Sequence, residues 1–325
     1  MFRSKRSGVV LALVLALVAA FAVSAPVLAA KDFPSKAITL VVPWAPGGGT
    51  DVVARGLAQP AGEYLGQQIN VVNRPGGSGA VGLAEGMRAK PDGYTITMLP
   101  VELAFLNQTG LYPFGVEAFE PIILVNSDPA GLTVRADAPW KNAKEFLDDA
   151  KRNPGKVRIG HSGAGLLWHL AAVALGQETG AKFTLVPYDG AAPAIKALLG
   201  GEIDAVTVSV PEVAGQVIPG NLKLLGAMDD ERFGMFPKVP TLKEQGYNVS
   251  ITTFRGIGAP AGTPPEVIAK LHEAFKYALS SEQYKSLMQK LGYGIAYKDS
   301  RDYKAFFTAT ARKLEGLVKA AGLRK

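Results

Sequence analysis

Two short runs carry residue types that could do chemistry. The first is Pro46-Gly47-Gly48-Gly49-Thr50-Asp51, and the second is Gly160-His161-Ser162-Gly163-Ala164-Gly165. Each follows an apolar strand-like run and precedes a helical pattern. A helix that starts there leaves its first N–H groups unpaired, and its dipole adds partial positive charge at the same point. Glycines let a ligand approach that main chain without meeting a Cβ. Both runs therefore suit a small anion. The first is not a P-loop, since no Lys-Ser/Thr pair follows its glycines, and it lacks the GxGxxG spacing of dinucleotide sites.

Side chains around the two runs extend this chemistry. Trp44 and Ala45 lead into the first. The Thr50 hydroxyl can donate to a carboxylate, and Asp51 either caps the helix or meets an ammonium group. In the second, the Ser162 hydroxyl and the N–H groups of Gly163, Ala164 and Gly165 are expected to face a ligand. Trp168 and His169 stand on the first turns of the helix that follows, where His169 either reaches the ligand or braces the loop from behind. Ser162 also fits a nucleophile elbow with alanine in the last place. A hydrolase would need an acid and then a histidine downstream, and Asp204 and His272 meet that order poorly, because His272 lies in an amphipathic helical pattern.

The elements that position these runs repeat. Ile38 to Val42 reads as a buried strand, followed by a helix from Asp51 to about Leu65 that Pro60 should kink or shorten. Gln68 to Val72 is a second strand, and the glycine-rich stretch after it, with Ser78 as helix cap and Gly79 beside it, opens a second helix. Thr95 to Leu99 is a third strand, leading into Glu102, which would suit an amino group. Strand, loop and helix in this order imply a parallel sheet with ligands beyond the strands' carboxyl ends. Phe119 to Asn126 is a strand that Asp128-Pro129 should interrupt before it resumes at Gly131. From Val157 the pattern starts again, with Tyr188 ending one strand on the expected ligand side and Asp204 starting another. Tyr247 to Ile257 is a further extended run, where Arg255 offers a two-pronged carboxylate grip. Amphipathic helices complete the chain. Two α/β units with one glycine loop each suggest a cleft closing over one small anion.

Composition narrows the setting. Arg3, Lys5 and Arg6, the apolar run from Val9 to Val23 and small residues at Ala29 and Ala30 form a secretory signal peptide covering residues 1–30. The mature protein is expected outside the cytoplasmic membrane, a place that the resemblance described below narrows to the periplasm. With no cysteine, disulfides, thiolate sites and lipid attachment through an N-terminal Cys are excluded. Loss of the three leader cations takes Lys+Arg from 35 to 32 against 28 Asp+Glu, so the net charge falls from +7 to +4. The remaining charge is dispersed, which argues against nucleic-acid binding. Three histidines without ligand spacing argue against a metal site, and no cofactor is expected.

Six stretches, PWAPGGGTD, NRPGGSGAVG, AKPDGYT, VPYDGAAPAI, FPKVPTLKEQGY and FRGIGAPAGTPPEV, occur in the order and spacing of one family. From about Phe33 onward the chain resembles the substrate-binding proteins of tripartite tricarboxylate transporters, the TctC or Bug family. The resemblance implies the α/β type II periplasmic-binding-protein fold, two α/β lobes joined by two crossing strands with a cleft between. The lobes would be residues 31–127 plus 254–325, and residues 128–253. It implies a non-enzymatic receptor, acting as a monomer, that passes a small carboxylate to a permease of one large and one small subunit. The carboxylate would lie between Trp44 to Asp51 and Ser162 to Trp168. Trp168 is bulky for the family, Phe254 stands where tryptophan is frequent, and Glu102 puts an acid on a cleft-facing loop. A solute sensor acting on a membrane kinase and a serine hydrolase using Ser162 are the alternatives.

Overall fold

The computed structural model describes residues 33–323 apart from 189, so the expected leader and its cleavage position lie outside the described residues. β1 (Ile38–Val42) is β-branched and almost wholly buried, as suits a strand covered on both faces. α1 (Gly49–Leu65) turns back over it, burying Val53, Ala54, Leu57 and Ala61. It runs through Pro60 to the left-handed Gly66, so the expected shortening does not occur. β2 (Ile69–Asn73), α2 (Ala80–Arg88) and β3 (Thr95–Pro100) complete the first parallel set, and a single 3-10 turn, Val101–Ala104, follows β3.

β4 (Phe119–Arg135) is the long strand on which the fold turns. Pro129 does not interrupt it, because proline removes one donor without forbidding extended backbone. After it come α3 (Ala143–Arg152), β5 (Arg158–His161), α4 (Leu167–Thr179), β6 (Thr184–Pro187), α5 (Ala191–Leu199) and β7 (Ala205–Ser209). Then follow α6 (Val210–Val217), β8 (Leu222–Met228) and β9 (Thr252–Pro260). Three helices end the described chain, α7 (Pro265–Ser280), α8 (Glu282–Leu291) and α9 (Ser300–Ala320).

Among the described residues the strand order is β2-β1-β3-β9-β4-β7-β5-β6, with β8 also paired to β4. β4 serves both halves. Its residues from Phe119 to Pro129 pair antiparallel with β9, and those from Ala130 pair with β7 and β8. β1, β2 and β3 are parallel to one another, as are β5, β6 and β7. Register fixes where their carboxyl ends fall. Pro100 at the end of β3 pairs with Arg255, Arg255 pairs with Asn126, and Ser209 at the end of β7 pairs with Ala130. Both parallel sets thus aim their carboxyl ends at the same stretch of the two crossing strands.

α9 packs against β4, α4 and the turn after β3, and so touches both halves. The Tyr303 hydroxyl donates to the Leu99 carbonyl at 3.1 Å, and Phe254 lies edge-on to Tyr303, Phe306 and Phe307. Gly256 makes room for this: a Cβ there would stand 2.6 Å from the Ile123 carbonyl oxygen and run into the Tyr303 ring. Gly256→Ala is expected to lower stability by about 1–3 kcal/mol through overpacking, read as a lower urea midpoint at unchanged slope.

Candidate ligand-binding site

At the end of β1, Asp51 holds the glycine loop in shape. One carboxylate oxygen accepts from Gly47 N–H at 2.9 Å and from Arg55 Nε at 3.0 Å, and the other from Asn73 Nδ2 at 2.9 Å. Burial pushes this carboxyl up, but the bonds from Arg55, Gly47 and Asn73 outweigh it and hold it below its ordinary value. The helix cap is Gly48, not Asp51 or Thr50. Asp51 therefore builds the loop and is not free to meet a solute. Gly47 N–H is spent on Asp51, which leaves the helix start at Gly49 and Thr50 for an anion. Trp44 is half-buried, while Ala45 and Gly48 are exposed.

Ser78 and Gly79 come from the neighbouring loop. Gly79, not Ser78, caps α2, and Ser78 sits in the left-handed region at φ 55°. The Tyr112 hydroxyl donates to the Ser78 carbonyl, and a Cβ on Gly79 would lie 3.0 Å from that hydroxyl and 3.3 Å from the Trp44 ring. Trp44, Gly79 and Tyr112 thus meet. Burial, reinforced by the Glu102 charge, raises the Tyr112 hydroxyl pKa far above normal. Glu102 itself is raised by burial, against Arg255 and with Glu212.

The crossing strands hold a buried ion pair. Arg255 Nη1 lies 2.9 Å from Asp128 Oδ2 and also donates to Asn126 Oδ1, while its Nε donates to Thr50 Oγ1 at 3.1 Å. Asp128 Oδ1 accepts from Gly294 N–H at 2.7 Å. Burial pushes the Asp128 carboxyl up, opposed by Arg255, Gly294 and Asn126. A Cβ on Gly49 would stand 2.8 Å from Arg255 Nη2 and 3.0 Å from the Tyr293 hydroxyl, so only glycine lets the guanidinium reach the helix start. The Tyr284 hydroxyl, buried without a hydrogen-bond partner among the described residues, lies in the field of the same pair.

At the end of β5 the second loop rests on two histidines. His161 and His169 stack at 4.7 Å. Gly165 N–H donates to His169 Nδ1 at 3.1 Å, and His161 Nδ1 lies 3.1 Å from the Gly163 carbonyl and 3.4 Å from its N–H. His169 therefore braces the loop, and the N–H groups of Gly163 and Gly165 are engaged inside it. Ser162 is half-buried and Ala164 exposed, and among the described residues no protein group bonds the Ser162 hydroxyl. Burial, then His169, lowers the His161 pKa to about 4, and burial lowers that of His169.

Four expected contacts lie elsewhere. Trp168 is buried in the core, and its carbonyl accepts from Thr207 Oγ1 at 2.9 Å. Phe254 is fully buried against α9. Asp204 lies at the amino end of β7, where it accepts from Arg158 N, Nε and Nη2. The Tyr188 ring lies back along the sheet beside Gly160, in the field of Glu202 and Arg158. No hydrolase relay assembles at Ser162 among the described residues, since Asp204 is bound to Arg158 and His272 to Glu273 and Tyr297.

Glu212, Asn126, Asp128, Tyr112 and Tyr293 stand around the candidate site, and the sequence reading passed over them. Glu212 had a signal: Ser209-Val-Pro-Glu212 is a capping box at the start of α6, and Ser209 Oγ and N–H both meet Glu212 Oε2 at 2.6 and 2.9 Å. Glu212 is exposed, yet surrounding protein raises its carboxyl pKa, against Ser209 and Arg255 and with Asp128.

Two depressions are lined mainly by other segments. One of about 780 Å³ flanks α1 and β2, lined by Arg55, Gln59 and Asn70, and one of about 410 Å³ lies under α9, lined by Ser127, Lys298 and Lys313. Neither gathers the unpaired helix starts, so volume does not locate the site here; strand polarity does. No helix among the described residues is long and apolar enough to cross a membrane, and none of their His, Asp and Glu side chains form a metal-holding group.

Two α/β halves that share two crossing strands, with carboxyl-end loops facing across them, define a type II periplasmic binding protein, a class that holds small solutes in a cleft between lobes. Within that class, the sequence profile described as Tripartite tricarboxylate transporter family receptor (TctC) matches residues 53–323, and the chain belongs to this family. A TctC solute-binding protein from Polaromonas, solved without ligand, is 41% identical with a TM-score of 0.79, covering 88% of this chain and 99% of that one. A Cupriavidus necator UPF0065 protein from the gbd 5' region is 35% identical over 297 residues, 91% of this chain and 90% of the other. A Rhodopseudomonas palustris protein solved with adipate is 27% identical with a TM-score of 0.79, covering 90% and 99%.

Two predictions follow from the site's electrostatics. Asp128→Asn leaves Arg255 buried without its counter-charge and is expected to cost about 3–5 kcal/mol in urea unfolding. The histidine pair makes stability fall with acidification. Between the free-imidazole value of 6.5 and about 4, the unfolded chain takes up a proton that folded His161 refuses. The urea midpoint should drop between pH 7 and pH 5, and His161→Asn should flatten that slope.

Proposed function

We propose that the chain is a periplasmic solute-binding receptor, exported by its signal peptide and working as a monomer without enzymatic activity. It captures a small carboxylate and delivers it to a tripartite permease of one large and one small subunit. One lobe comprises residues 31–127 with 254–325, the other residues 128–253. The observation that carries this reading is a pair of glycine loops at strand carboxyl ends, one on either side of the crossing strands. The carboxylate is held by the helix start at Gly49 and Thr50 on one side and by Ser162 and Ala164 on the other, with Trp44 and Gly79 walling the first. Arg255 stands behind Thr50 and orients its hydroxyl toward the solute. The adipate held by the R. palustris relative is a solute of the same chemistry. Closure of the lobes removes water and strengthens these bonds, since charge-assisted hydrogen bonds contribute roughly 1.5–3 kcal/mol each. A few of them suffice for micromolar binding.

A thermal-shift screen of mono-, di- and tricarboxylates, amino acids and aromatic acids tests this. A ligand at a hundred times its Kd adds about 2.7 kcal/mol, a rise in melting temperature of several degrees. Ser162→Ala should weaken the responding solute about tenfold in titration calorimetry, and Gly49→Ala, which displaces Arg255, should weaken it further. A panel in which no carboxylate shifts the transition would overturn the reading.

A further inference from the structure

The crossing strands have a second face. Side chains alternate along a strand, so Arg255 turns toward Thr50 and Asp128 while Thr252 and Phe254 turn toward α9. On that side lies the cavity of about 410 Å³, within the size range of small-molecule sites. Leu124, Leu167, Ile251 and Leu314 give it an apolar floor, and all four are buried. Its two ends differ in charge. At one, the half-buried Lys298 ammonium lies over the Phe306 ring at 5.1 Å, and among the described residues it has no ion pair and no hydrogen bond. A ring face attracts a cation but leaves its three donors without an oxygen. The Thr252 and Thr310 hydroxyls, also in the wall, bond no protein group among the described residues. At the other end, Lys313 Nζ donates to the Ser250 carbonyl at 2.6 Å and lies in the field of Asp229 and Asp230. Asp230 is held by Lys243 at 2.9 Å, and burial raises the Asp229 carboxyl pKa. Lys313 is thus balanced, and Lys298 is not. About two turns of α9 separate Phe306 from Lys313, roughly 10 Å along its axis.

We propose that this cavity is a second binding site, for a monoanion with an apolar body: its carboxylate meets Lys298, its body lies along the buried floor, and its tail stops short of Asp229. A second carboxylate on the ligand would face Asp229, and a cationic head would face Lys298. None of the groups assigned to the carboxylate between the glycine loops lines the cavity, so mutation separates the two sites. Titration calorimetry at pH 7.5 tests it on the Ser162→Ala variant, in which the site between the glycine loops is weakened. The probe is octanoate, and suberate and octylamine are its comparisons, the first with a second carboxylate and the other with a cationic head. Octanoate is expected to bind ten times or more tighter than either. Adding Lys298→Gln should weaken octanoate about tenfold, the loss of one charge-assisted bond. Adding Ala309→Trp instead should block it, because Ala309 is an exposed residue of α9 at the cavity wall. Both additions are checked for unchanged melting temperature. Absence of octanoate binding would overturn the proposal, as would binding that neither addition changes. Suberate or octylamine that binds as tightly as octanoate would overturn it too. Octanoate binding by the unsubstituted chain that Ser162→Ala removes entirely would place the acid between the glycine loops, overturning this proposal and leaving the receptor reading standing.

Discussion

The buried pair of Arg255 and Asp128 is the constraint on which the rest of this structure depends. It sits where β9 and β4 run side by side, at the level where the carboxyl ends of β3 and β7 arrive from opposite directions. Arg255 ties that point to the first helix start through Thr50, and Asp128 ties it to the turn after α8 through Gly294. A buried ion pair seldom adds much net stability, but losing one partner is expensive. Its value here is positional. One charge cluster fixes the crossing strands, a glycine loop and the C-terminal helices relative to one another.

The repeating strand, loop and helix order was legible in the sequence because apolar periodicity and glycine punctuation are local signals. β1, its glycine loop, α1 and the second loop at residues 160–165 all fall where those signals put them. What failed was side-chain direction. Asp51 was read as cap or contact, and it serves the loop's own backbone. Trp168 and Phe254 are candidate ligand-binding positions by sequence, yet both are core, because a large ring beside a sheet gains more from burial than from a wet surface. Asp204, read as the start of a strand that is either structural or orients the loop, is bonded to Arg158 at the end of β7 away from the loop.

The residues passed over share a different reason. Asn126 and Asp128 meet Arg255 from more than a hundred residues away in the chain, and no local pattern announces such a meeting. Tyr112 and Tyr293 belong to loops with little periodicity. Glu212 alone carried a local mark, the capping box at its helix start. Both glycine loops also spend some of their N–H groups internally, on Asp51 in one case and on His161 and His169 in the other. A nest that is partly filled by its own protein is stiffer and offers fewer donors, all of them already oriented.

The side-by-side run of β4 and β9 has a mechanical meaning. Two strands paired from Phe119–Pro260 to Pro129–Thr252, with register shifts after Pro121 and Leu124, cannot slide past each other without breaking the ladder, but they can flex across its plane. Such a pair of strands is stiff along its length and compliant across it, a hinge leaf rather than a swivel.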